Sequence, residues 1–133
     1  MQENRLFEYA VIRIVPRVER EEFLNIGVIL YCKQQQFLQT LFTIDEERLS
    51  TFAGYLDMAA LKEHLCAFEK ICLGDTSAGE IAKLDMASRF RWLTAARSTI
   101  VQTSKVHPGL CTDAGETLTK LHKQLVLQPA SDQ

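Results

Sequence analysis

Apolar positions near the start of the chain follow a strand-like rhythm. Residues 7–15 (FEYAVIRIV) are rich in β-branched and aromatic side chains, the composition of a strand. Alternation puts Tyr9, Val11, Arg13 and Val15 on one face and Ala10, Ile12 and Ile14 on the other. Pro16 has no N–H for a ladder and ends the segment. Residues 23–32 (FLNIGVILYC) are almost continuously apolar, the pattern of a strand covered on both sides. A polar turn at 33–36 leads into a third strand, residues 37–44 (FLQTLFTI). Short loops between the three predict an antiparallel meander. A hairpin centred near Glu19 sets Arg13 opposite Asn25, with Asn25 and Gly27 expected on a single face.

The rhythm then becomes helical. Asp45 is a fitting N-cap, followed by Leu49, Phe52, Ala53 and Leu56 at helical spacing. Asp57 opens a better helix with the stripe Leu61, Leu65, Phe68 and Cys72, and Gly74 fits its end. Residues 81–95 are helical in period, with Asp85 capping the second part. Residues 97–103 (RSTIVQT) read as a fourth strand, and 104–112 hold a His-Pro-Gly turn. Asp113 should cap a last helix with Leu118, Leu121 and Leu125 inward. The expected fold is one α+β domain over residues 7–127. Its antiparallel sheet has about four strands, an N-terminal three-stranded meander plus one later strand, with helices packed mainly on one face. Residues 1–6 and 128–133 are expected to be flexible termini.

Composition narrows the function classes. At 133 residues, 47% hydrophobic and 24% charged, the chain is ordinary globular material rather than a disordered segment. A net charge of -2 provides no global pull toward nucleic acid or anionic lipid. Yet Arg13, Arg17 and Arg20 cluster early, and Arg89, Arg91, Arg97 and Lys105 late, so a local cationic patch forms if the two regions meet. Cys32, Cys66, Cys72 and Cys111 form no C-x-x-C pair, and no secretory signal is read. They read as reduced thiols of a cytoplasmic protein. The apolar run 28–32 is far short of the ~20 residues that span a bilayer, so no membrane association is expected. His64 and His122 lack a spaced partner ligand, and no Gly-rich phosphate loop occurs; neither metal nor cofactor is expected.

Polar residues that interrupt apolar segments are the candidates for function. Arg13, Asn25 and Gly27 break the first two strands, and Arg97, Ser98, Gln102 and His107 mark the late stretch. An arginine fork matches carboxylates and phosphates, and neighbouring hydroxyls add donors. His107 with Asp113 and either Ser98 or Ser104 suggests a hydrolase triad on paper, but there is no nucleophile elbow, and Asp113 already has a sufficient role as a structural cap. Tyr9, Phe23 and Trp92 near basic residues suggest base stacking, without any nucleic-acid-binding signature.

Three ordered motifs carry a resemblance. The segment V-P-R-V-E-R-E-E-F-L-N-I-G-V from Val15 to Val28 resembles the opening signature of a bacterial family known as domain of unknown function 3037. Arg89-Phe90, Trp92-Leu93-Thr94-Ala95, Arg97-Ser98-Thr99 and Gln102 are similar to its second signature. Val106-His107, Gly109-Leu110 and Asp113 are similar to its third. Glu21 stands where the family usually has Gly, Ala96 where Pro is usual, and Cys111 where Thr is common. The resemblance implies no established activity. It does imply a protein partner, because family members resemble companions of genes for kinases of the persistence-toxin type.

The reading favoured is a small bacterial binding or accessory module acting on a protein partner, with Arg13, Asn25, Gly27, Arg97, Ser98, Gln102 and His107 as its binding residues. The alternatives are an enzyme acting on a phosphorylated or nucleotide substrate through Arg97 and His107, and a nucleic-acid-binding module. A concave cleft around these side chains would speak for the enzyme. A flatter surface would speak for the binding module.

Overall fold

The computed structural model describes residues 4–96 and 99–127. Among these are the strands β1 (Arg5–Ile14), β2 (Leu24–Cys32), β3 (Phe37–Phe42), β4 (Val101–Thr103) and β5 (His107–Cys111). The helices are α1 (Glu46–Phe52), α2 (Met58–Leu73), α3 (Met86–Leu93) and α4 (Ala114–Leu125). Short 3-10 turns lie at Val18–Arg20, Thr76–Ala78 and Glu80–Lys83. All strand pairings are antiparallel, in the order β3-β2-β1-β4, with β5 also paired to β1. The fold is α+β.

The doubly apolar second strand has its explanation in two cores. On one face, Ala10, Ile12 and Ile14 of β1 and Ile26 and Ile29 of β2 meet Leu49 of α1, Leu61, Leu65 and Phe68 of α2, and Phe90 and Leu93 of α3. On the other, Phe7 of β1, Val28, Leu30 and Cys32 of β2 and Cys111 of β5 meet Ala114 and Leu118 of α4. Helices thus crowd one face, and α4 alone packs on the opposite one, chiefly over β2 and β3. Each helix starts at an aspartate: Asp45, Asp57, Asp85 and Asp113 accept from the N–H groups of Arg48, Ala60, Ser88 and Glu116 at 3.0–3.1 Å. Such a cap is worth about 1 kcal/mol. Gly74 ends α2 at φ 77, and the Arg89 guanidinium packs close against it while donating to the Leu84 carbonyl at 2.6 Å.

Three segments depart from the sequence reading. The fourth strand, expected over residues 97–103, begins only at Val101, where β1 supplies the partner Ile14, and Thr99 and Ile100 lie outside it. The His-Pro-Gly stretch, expected as a turn, is strand β5. Gly109 makes this fit, because a Cβ there would lie 2.5 Å from the Phe7 ring. Arg5 and Leu6, read with the loose N-terminus, open β1 because β5 supplies their partners Cys111 and Leu110. Ser104 bridges the gap between β4 and β5. Its N–H donates to the Val11 carbonyl and its Oγ accepts from the Val11 N–H, both at 2.8 Å. One side chain therefore stands in for a missing ladder rung, and β1 keeps its backbone paired through the interruption.

A bulge decides which side chains meet. Ile12 pairs with Gly27, but Arg13 pairs with Asn25, so Ile26 is an extra residue on β2. The added residue reverses the alternation of faces from that point. Among the described residues, no helix is long and apolar enough to cross a membrane.

Candidate functional site

Register brings Asn25, Arg13 and Gln102 side by side across β2, β1 and β4. They lie on the face that α4 only partly covers. One step along, Tyr9 stands beside His107, their rings 5.3 Å apart and tilted by 36°. His107 is exposed, whereas Tyr9, Arg13 and Gln102 are half-buried. Alternation places Tyr9 and Arg13 on the same side of β1, with buried Val11 between them. The result is an open strip of sheet running from His107 to Asn25.

Arg13 is the most unusual member. Its guanidinium lies 3.9 Å from the centre of the Phe23 ring, and its Nε is buried without a hydrogen-bond partner among the described residues. Burial lowers the arginine below its ordinary pKa. Directly opposite, the Asn25 Nδ2 donates to the Leu125 carbonyl at 3.1 Å. That bond satisfies one of the free carbonyls at the end of α4 and fixes the orientation of the amide. The Asn25 Oδ1 is left buried, with no hydrogen-bond partner among the described residues. Gln102 donates to the Thr99 carbonyl at 2.9 Å, which folds its amide back on its own loop.

Gly27 does not join them. The bulge at Ile26 turns it to the opposite face, beside Ile12. A Cβ there would stand 2.7 Å from both the Leu41 carbonyl oxygen and the Phe42 ring, so the glycine permits close strand approach. Arg97 and Ser98 lie outside the described residues. The second motif is otherwise largely structural. Phe90 stacks on Tyr31 at 5.4 Å, Thr94 donates to the Phe90 carbonyl, and Thr103 donates to the Thr94 carbonyl.

The hydrolase arrangement does not form from Ser104. Its Oγ accepts from Val11 and donates to the Lys105 carbonyl at 2.9 Å, so the hydroxyl is engaged at both ends. Asp113 caps α4, and strand β5 separates it from His107 by on the order of 13 Å of extended chain. Clefts of about 780, 600 and 360 Å³ lie elsewhere, none lined by Arg13, Asn25, Gln102 or His107. Among the described residues, no group of three or more His, Cys, Asp or Glu is placed to hold a metal ion.

Two contributors escaped the sequence reading. Phe23, in the sequence an aromatic near basic residues, is the surface on which Arg13 rests, with 45% of it exposed. Its spacing two residues before Asn25 was the available signal, since both then point the same way. His122 on α4 shares a 2.7 Å hydrogen bond with the Thr43 hydroxyl. No sequence pattern pointed to that pair, because the two residues are 79 positions apart.

The family model described as protein of unknown function DUF3037 matches residues 9–126. No curated protein and no solved structure matches the chain.

Proposed function

We propose that this chain, which belongs to the DUF3037 family, is a binding or accessory module that meets a protein partner through the open strip of its sheet. The supporting observation is the pairing of Arg13 with Asn25. A buried donor and a buried acceptor face each other's strands, each without a partner, beside an exposed aromatic ring. Unsatisfied buried polar atoms cost about 1–3 kcal/mol each, and a partner that displaces Phe23 and supplies both missing bonds recovers that energy. In this reading Arg13 contributes charge, Asn25 and Gln102 direction, and His107 a titratable rim contact. Arg97 and Ser98 belong to the same reading through their place in the sequence just before β4.

The strip favours a protein over a small substrate because its side chains sit on a sheet surface and not in any of the larger clefts. The implied partner class is a kinase of the persistence-toxin type, as the family resemblance suggests. The four free cysteines fit a reducing cytoplasm.

Affinity capture from the native host with the wild-type chain and with Arg13→Met tests the reading. Methionine keeps the stem packed on Phe23 and removes the charge. Loss of a single protein from the catch, with the variant still folded, is the expected result. An identical catch, or an empty one for both, removes the proposal. Retention of nucleic acid that weakens steeply with salt would favour the nucleic-acid reading instead.

A further inference from the structure

Beyond the end of β1, a cleft of about 360 Å³ opens between the 16–22 loop and the connection from α1 to α2. Pro16, Arg17, Arg20, Glu22, Phe52 and Tyr55 line it. Two cations and one acid therefore face the same space. They are not equivalent. The Arg20 Nε is held by Glu22 at 2.7 Å, a pair open to solvent. Arg17 has no acid partner among the described residues; its guanidinium lies 5.3 Å from the centre of the Tyr55 ring. Stacked in this way, the guanidinium keeps its edge donors free, and the ring restrains its motion. Tyr55 is 62% exposed, a large apolar surface beside an unneutralised charge.

The surroundings select among anions. Glu19 and Glu21 belong to the same loop and are exposed. An extended polyanion laid across the cleft would run past these carboxylates and be repelled, whereas one isolated negative group meets two arginines against the single Glu22, which Arg20 already holds. The aromatic wall adds a requirement for an apolar neighbour.

We propose that this cleft binds a peptide segment bearing a single isolated carboxylate next to an apolar side chain. Arg17 grips the carboxylate with its fork, Arg20 adds a second donor, and Phe52 and Tyr55 pack on the apolar neighbour. The proposal does not depend on the open strip being a binding surface.

The test is nuclear magnetic resonance of the ¹⁵N-labelled full chain at low salt. The probes are an N-acetylated, C-amidated tripeptide with one glutamate between leucine and phenylalanine, its glutamine counterpart, and an oligothymidylate. The glutamate peptide is expected to shift the amides of residues 17–22 and 52–57. Loss of the charge-assisted fork should weaken binding roughly tenfold, both for the glutamine peptide and in Arg17→Gln. Arg17→Lys keeps charge without the fork and serves if Arg17→Gln fails to fold; it too should bind several-fold more weakly. Arg13→Met should bind the glutamate peptide normally, which separates this cleft from the strip. Absence of shifts at these residues, equal response to the two peptides, unchanged affinity in the arginine variant, or tighter binding of the oligonucleotide at the same residues would each overturn the assignment.

Discussion

Arg13 and Asn25 stand opposite one another across β1 and β2, and each keeps one buried polar atom without a partner among the described residues. The arrangement costs stability in the isolated chain. Arg13→Met retains the aliphatic packing on Phe23 and removes the buried, unsatisfied Nε–H. The expected outcome is a fold of equal stability or one more stable by about 1 kcal/mol, read from the urea midpoint. A loss greater than about 2 kcal/mol would mean that the arginine is a structural anchor.

Glu21 adopts φ 57, a left-handed conformation that costs a residue with a Cβ about 1–2 kcal/mol. Glycine relieves that strain but loses more chain entropy on folding. Glu21→Gly should therefore stabilise the protein by roughly 0.5–1 kcal/mol. Thermal unfolding checks it, and a lower melting temperature would contradict the loop geometry.

Gly27 lies under the Phe42 ring and against the Leu41 carbonyl. In Gly27→Ala the methyl group meets backbone that cannot move aside without disturbing β3. A loss of about 1–3 kcal/mol is expected, with partner capture unchanged wherever the protein remains folded. That outcome would separate Gly27 from the open strip, as its position on the opposite face requires.

His122 makes stability depend on pH. Burial lowers its pKa from 6.5, and its Nε2 shares a hydrogen bond with Thr43. The folded state then binds fewer protons than the unfolded state below about pH 6.5, so stability rises with pH in that window. This contribution is complete above the unfolded value and is lost as pH falls through the depressed folded one. The slope cannot exceed about 1.4 kcal/mol per pH unit for one proton. Urea titrations from about pH 5 to about pH 8 should show the slope in the wild type and a flatter profile in His122→Gln. Equal slopes would assign the effect to other groups.

Much of this arrangement was legible from local pattern. Alternation in residues 7–15, together with a hairpin centred near Glu19, was enough to place Arg13 opposite Asn25. Aspartates before apolar stripes marked all four helix starts. The failures share a physical cause, which is dependence on distant partners. Proline and glycine in residues 107–111 signal a turn locally, yet Phe7 fits over Gly109 and makes the segment a strand. The side of the sheet taken by Gly27 turns on one supernumerary residue, invisible to a period-two reading. Ser104 resembled a nucleophile because its two hydrogen bonds to Val11 cross 93 positions of sequence. The Phe23 shelf needed the pairing of β1 with β2 before its relation to Arg13 had meaning.

The supernumerary Ile26 has an evolutionary corollary. Loss of that one codon would set Asn25 directly before Gly27, and plain alternation would still turn the two to opposite faces, leaving Asn25 across from Arg13. What would vanish is the Ile26 side chain, 2% exposed in the core beneath the three-helix side. A length change of one residue at this point would thus spare the register of the proposed recognition strip and be felt in the hydrophobic interior instead.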